Sequence, residues 1–380
     1  MPKAQPPEQA LMSYEPLDTS DIDRWIGQPI GGEQLVEPVT VTDVRRWVQA
    51  MHNPNPAHYD GEIVMPQSML LACSVRHGVF TANQGRIPGG GQMNAGEEWW
   101  FGPRLAVGDK VTLARQALDY RVTQTAQFGP TVFQRGDTTF TNQHGQVLGR
   151  QRATATRFVS ANVRKGGGSS KKASADPPEF SADEIAAFEA ERLAYARGLR
   201  EHTPPTLSDL TIGAELPRRL IGPHSIASFA AEYRAFLHTI WGNLYDDGLP
   251  RSPRVIREAE AAIDPEFGDS LYHGAGAGHV DSKAAALRGI PRAYNAGATT
   301  CAWIVDYAAN WAGEAGEVRH VSLQYRSPVL VGDVTYISAK VTALAPDEQP
   351  GFDLVTLEVT AVDQNGKTNT RGTATVRLRT

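Results

Sequence analysis

A chain of 380 residues exceeds one ordinary domain and suits two or three of roughly 100–200 residues each. Its 41% hydrophobic and 21% charged residues allow real cores, which excludes a disordered or fibrous chain. A net charge of -5 without a long basic block argues against a nucleic-acid partner, and the lack of any run of about 18 apolar residues argues against a membrane span.

The first nine residues, Met1 to Gln9, are Pro-rich and polar and lack the basic start and apolar stretch of a secretory signal, so a cytoplasmic location is expected. A first helix around Trp47 runs into Met51-His52-Asn53-Pro54-Asn55-Pro56-Ala57-His58-Tyr59-Asp60, where two prolines fix the backbone ahead of a His-x-Asp. An apolar helix is expected over 68–82, and Gly108-Asp109 reads as a turn. Strands are expected over 110–120, 132–142 and 151–159, with a hairpin at His144-Gly145. The two cysteines, Cys73 and Cys301, lie in apolar helical stretches and suit buried, reduced thiols.

Residues 160–180, rich in Gly, Ser, Lys and Pro, read as a flexible linker. Ser181 and Glu184 then fit a capping box that opens an amphipathic helix through Arg200, which belongs to the connection rather than to either core. Phe229 marks the next first helix, and Gly274-Ala-Gly-Ala-Gly278 leads into His279-Val280-Asp281. That glycine run is not a dinucleotide loop, because the third glycine of the pattern falls on His279 and no buried strand precedes it. A second apolar helix is expected over 298–312. The strands at 334–343, 352–362 and 373–378 follow, with a hairpin at Asn365-Gly366.

These elements repeat. His58-x-Asp60 recurs as His279-x-Asp281 at an offset of 221; Gly108-Asp109 recurs as Gly332-Asp333 at 224; Gly145, Arg150 and Ala153-Thr154 recur as Gly366, Arg371 and Ala374-Thr375 at 221. Two α+β copies are therefore expected, at 1–159 and 207–380, joined by the linker and connecting helix of 160–206. Trp47 to His58 spans 11 residues and Phe229 to His279 spans 50, so the second copy carries an insertion of about 39 residues at about 230–273.

The segment Asn53-Pro54-Asn55-Pro56-Ala57-His58 resembles the Asp-x-Asn-Pro-x-His motif of the MaoC-like, R-specific enoyl-CoA hydratases, with Asn53 where the family has Asp. The second copy keeps His279 and, 18 residues on, Gly297 opening the central helix; the stretches 318–328 and 328–333 also resemble the family's Pro-rich strand ending in Gly-Asp. The resemblance covers most of both copies but neither linker nor insertion. It implies a double hot-dog fold, each copy a long helix wrapped by an antiparallel sheet, and hydration of 2-enoyl thioesters or dehydration of 3-hydroxyacyl thioesters. It also implies that Asp and His hold the added water, and that a helix-start N–H meets the thioester oxygen.

His58, Asn53, His279, Asp60 and Asp281 are thus the candidate catalytic residues, and Asn55, Tyr59, Ser68, Arg292, Tyr294 and Gly297 the candidate substrate-binding ones. Asn53 can orient a water but cannot take its proton, which leaves Asp60, Asp281 and Tyr59 as the nearest sources of a second acid-base group. No zinc-type Cys or His spacing, P-loop or nucleophile elbow is present, and no cofactor is expected beyond coenzyme A as part of the substrate. The rival readings are a hot-dog thioesterase and a non-catalytic acyl-CoA-binding subunit of a hydratase complex. A homo-oligomer or a complex with another subunit is expected.

Overall fold

The structure is a computed structural model that describes residues 14–35, 37–59, 61–74, 81–164, 176–237, 277–286 and 289–380. The first copy supplies strands β1 (Pro29–Gln34), β2 (Gly90–Phe101), β3 (Thr112–Thr125), β4 (Gly129–Thr141) and β5 (Val147–Val159). The second supplies β6 (Arg219–Ile221), β7 (Glu317–Tyr325), β8 (Thr335–Pro346), β9 (Phe352–Val362) and β10 (Thr368–Arg379). They form one antiparallel sheet in the order β1-β3-β4-β5-β2-β7-β10-β9-β8-β6. Read outward from its middle, the order is the same in both directions, so the sequence repeat is also a structural one. The copies meet where β2 pairs with β7, from Gly96 opposite Gln324 to Trp100 opposite His320.

The strands alternate buried and less buried positions, as in β9 and β10, because one face of the sheet covers the helices. Equivalent hairpin turns close the equivalent strands. Gly145 and Gly366 both adopt positive φ, of 77° and 74°, and the side chains of Asn142 and Asp363 accept the backbone N–H groups that follow them.

The described α-helices are α1 (Ser20–Asp23), α2 (Val41–Ala50), α3 (Ala182–Glu201), α4 (Ile226–Arg234), α5 (Ser282–Ala286) and α6 (Gly297–Ala312). Helix α2 opens with a reciprocal Thr40–Asp43 capping box and buries Val44, Trp47 and Val48 at the i, i+3, i+4 spacing of one face. Helix α4 stands in its place in the second copy, opened by Ser225 and Ser228. Helix α6 is buried almost all round, and its side chains share one core with Met69 to Cys73 of the first copy and with strands of both. Two copies fused around one core cannot be separated without exposing it to water.

Two expectations need correction, and one strand stands where none was expected. The first copy's central helix is a 3₁₀ helix over Gln67–Cys73, with a further turn at Thr81–Asn83; residues 75–80 lie outside the described ones. Pro66 stands before it, and seven buried residues hold its tighter winding against the core. The connecting helix α3 has the expected Ser181–Glu184 box but hardly an apolar face. Phe188 packs with Leu220 and Val334, and Tyr195 lies against the shared core. Strand β2 was missed because its Gly, Asn and Glu residues disfavour strands. The buried Glu97 within it is satisfied by Asn94, Trp99 and Gln151, each donating at 2.9 Å. The inner linker (165–175) and most of the expected insertion (238–273) lie outside the described residues.

Candidate active site

The segment after α2 is fixed by its own chemistry. His52 takes a positive φ of 52°, costly for a residue with a Cβ, and turns the chain so that the Asn53 N–H donates to Val48 O at 3.0 Å. Asn55 then caps the one-turn helix Pro56–His58, its side chain accepting the Ala57 N–H at 3.1 Å. His58 is thereby buried, with Nδ1 2.7 Å from the Val64 carbonyl oxygen. A carbonyl can only accept, so Nδ1 carries the proton and Nε2 presents its lone pair.

A clasp from the other copy holds this segment. Asn310 on α6 donates from Nδ2 to Asn53 Oδ1 at 3.0 Å and accepts the Asn55 amide at 2.9 Å. Asn53 Oδ1 also accepts the Asn55 N–H at 3.1 Å, while Asn53 Nδ2 is buried without a partner among the described residues. His58, Asn55, Gln67, Arg104, Asp306 and Asn310 line a cavity of about 20 Å³, room for a single water. The first copy's motif and the second copy's helix thus share one site.

Burial lowers the affinity of His58 for a proton, against the raising effect of its Val64 bond; Arg104 lowers it further and Glu314 raises it. Burial also raises the Asp306 carboxyl to about 6, a shift moderated by Arg219, Ser68 and Asn53. The same desolvation pushes the Cys73 thiol to about 12, and both cysteines are buried and free.

The second histidine repeats the local geometry. His279 Nδ1 lies 2.7 Å from the Tyr294 carbonyl oxygen, and its ring packs against Tyr233 and Tyr294 with centroids 5.3 and 4.7 Å away. Gly297 opens α6 without a side-chain cap, and a Cβ there would come within 2.7 Å of the Tyr325 ring. The residues just before Ala277 lie outside the described ones, so the surroundings of His58 are the more fully described.

Of the other candidates, Ser68 and Tyr59 adjoin this site and the rest of the described ones lie elsewhere. Ser68 is buried and accepts the Trp47 indole N–H at 2.8 Å. Tyr59 donates to Asn53 O at 2.9 Å. Asp281 accepts the Lys283 N–H at 2.7 Å at the start of α5. Arg292 is buried on Asp333, 3.1 Å away, behind the Gly332 turn. Asp60 lies outside the described residues. Asp306 and Asn310 were not found from the sequence, although two polar residues four apart in an apolar helix are a signal for one polar face.

A larger cavity, of about 290 Å³, lies on the far side of the motif segment between α3, β6 and α4, lined by His52, Pro54, Arg192, Tyr195, Arg219 and His224 among others. His58 is not in it. Among the described residues no helix is long and apolar enough to cross a membrane.

A family model described as "FAS1-like, dehydratase domain region" matches residues 24–151. A "Probable enoyl-CoA hydratase alpha subunit" of Thermomonospora curvata is 26% identical over 168 residues, covering 38% of this chain. The chain spans about half of that relative, 52% of its length. A solved "MaoC-like dehydratase" superposes with a TM-score of 0.58 at 16% identity, over 94% of this chain and 99% of the other. A putative MaoC domain protein dehydratase from Chloroflexus aurantiacus J-10-fl gives 0.54 at 12% identity, over 93% and 95%. The chain has the double hot-dog fold of MaoC-like dehydratases, and residues 24–151 of its first copy match the FAS1-like dehydratase-region model.

Proposed function

We propose that this protein reversibly hydrates 2-enoyl thioesters to 3-hydroxyacyl thioesters, with coenzyme A as the carrier and no separate cofactor. The observation that carries the reading is His58, held by the Val64 carbonyl in the tautomer of a base, beside a cavity the size of one water. Its Nε2 takes a proton from that water, whose oxygen adds to the β-carbon. A backbone N–H at the start of a central helix then polarises the thioester oxygen, on which negative charge develops. The name of the Thermomonospora relative supports a hydratase, and its being an alpha subunit supports work in a complex with another subunit. A cytoplasmic location and domain limits at 159 and 207 belong to the same proposal; the buried free thiols support the former.

Hydration of crotonyl-CoA, followed by loss of the enoyl absorbance, tests it. Wild type is expected to turn over, and His58→Ala to lower kcat at least about 100-fold while acyl-CoA still binds. His279→Ala is expected to change kcat little. Release of free coenzyme A instead would favour a thioesterase, and tight binding without turnover across a broad substrate panel would favour a binding subunit. A fully active His58→Ala would remove His58 from the mechanism.

A further inference from the structure

Hydration needs a group that gives a proton to the α-carbon as well as one that takes a proton from water, and Asn53 stands where the motif would supply a carboxyl. We propose that Asp306, on the central helix of the second copy, is this missing group and forms with His58 a catalytic pair assembled from both copies. The inference rests on the hydratase reading.

Asp306 is 1% exposed and lines the same one-water cavity as His58. It lies one helical turn before Asn310, the residue that clasps Asn53 and Asn55, so α6 delivers both to the motif. Neither carboxyl oxygen makes a hydrogen bond of ordinary geometry among the described residues, nor does Asn53 Nδ2, although Ser68 and Asn53 lie close enough to favour the ionised form of Asp306. The equally buried Glu97, by contrast, is saturated by three donors.

The charged and titratable groups acting on Asp306 come from three other elements: Arg219 on β6, Tyr59 in the motif segment and Tyr195 on α3. Arg219 could have made Asp306 a plain counter-ion. Its guanidinium instead donates to the carbonyls of Met51, His52 and Trp303 at 3.0, 2.9 and 3.0 Å. Arg104 and Glu314 act on His58.

Desolvation moves the two groups in opposite directions, towards the neutral imidazole and the neutral carboxylic acid. In hydration the water oxygen bonds to the β-carbon as His58 Nε2 takes its proton and the double-bond pair passes into the thioester enolate. The Asp306 hydroxyl then protonates the α-carbon. The imidazolium returns its proton to the Asp306 carboxylate through the cavity, which restores both groups with one water added and no change of oxidation state.

The test compares wild type, Asp306→Asn and the exchange variant Asn53→Asp/Asp306→Asn as full chains, with crotonyl-CoA turnover, the pH profile and acyl-CoA affinity as readouts. Wild-type kcat/KM should fall on the alkaline side, the acid being lost at about 6 in the free protein. Asp306→Asn should lose at least about 100-fold in kcat and that alkaline limb, with affinity within about threefold. The exchange variant should regain at least about tenfold over the single one, because it returns a carboxyl to the motif. A wild-type kcat/KM that shows no alkaline limb between about pH 5 and 8 overturns the proposal without any variant, so misfolding of Asp306→Asn cannot shelter it. Asp306→Asn with kcat within threefold of wild type overturns it while leaving the hydratase reading intact. A wild type that hydrates no enoyl-CoA removes both.

Discussion

On the proposed reading, His58 and Asn53 divide the work of the motif unevenly. The imidazole is oriented by a backbone carbonyl rather than by an acid, which fixes its tautomer without adding charge to a buried site. Asn53 keeps the shape of the lost carboxylate and none of its acidity. Asn53→Asp on its own would set a second carboxyl beside Asp306, and two neighbouring carboxyls titrate as a pair with one pKa pushed up. The alkaline limb of activity should then move above its wild-type position, which a pH profile of kcat/KM reads. His224 couples folding to pH. Buried and stacked on Trp303, it is depressed to about 3 from 6.5 and folds as the neutral ring. The stability it contributes is complete above the unfolded value of 6.5 and is lost as pH falls towards 3. The raised carboxyl of Asp306 works in the opposite sense, contributing below 3.8 and losing that contribution as pH rises through about 6. Between pH 6.5 and about 4 the two effects oppose each other, so wild-type melts should shift little, whereas His224→Asn should gain stability relative to wild type as pH falls.

Helix α6 is the element on which fold and site both depend. Its apolar surface fills the shared core, while Asp306 and Asn310, four residues apart, interrupt it with one polar stripe facing the other copy's motif. Asn310→Ala would leave the Asn53 carbonyl and the Asn55 amide each short of a partner. It should destabilise the protein by about 1–3 kcal/mol in urea unfolding. The same variant should lower kcat more than acyl-CoA affinity, because the clasp positions the motif rather than the carrier. Helix α3 contrasts with α6: it is capped well and buried little. Ser181→Ala should cost about 1 kcal/mol or less, seen as faster amide exchange in its first turn with kcat unchanged.

The two copies are joined by more than the linker. Five facing residue pairs link β2 to β7, and one apolar core runs through both copies. Cleavage within 165–175 should therefore leave the fragments associated on gel filtration, since the linker contributes effective concentration and not the interface. Separation of the fragments would show that the covalent join matters more than the shared core. Sedimentation of purified chain at micromolar concentration should give a particle above 41 kDa, or one that shifts when a second subunit is supplied.

Short-range information in the chain was enough for much of this. The His, Gly-Asp and Ala-Thr repeats specify two copies, alternation specifies the later strands of each, and the capping boxes and Gly turns stand where their side-chain chemistry puts them. Strand β2 was not legible, because its Gly, Asn and Glu residues are tolerated only once β5 and β7 flank it and buried donors surround Glu97. Nor was the partner of the motif. Asp306 and Asn310 lie about 250 residues from Asn53, and nothing local pairs residues so far apart. Their meeting was decided by the packing of α6 across the motif of the other copy, a consequence of burying one core between two copies.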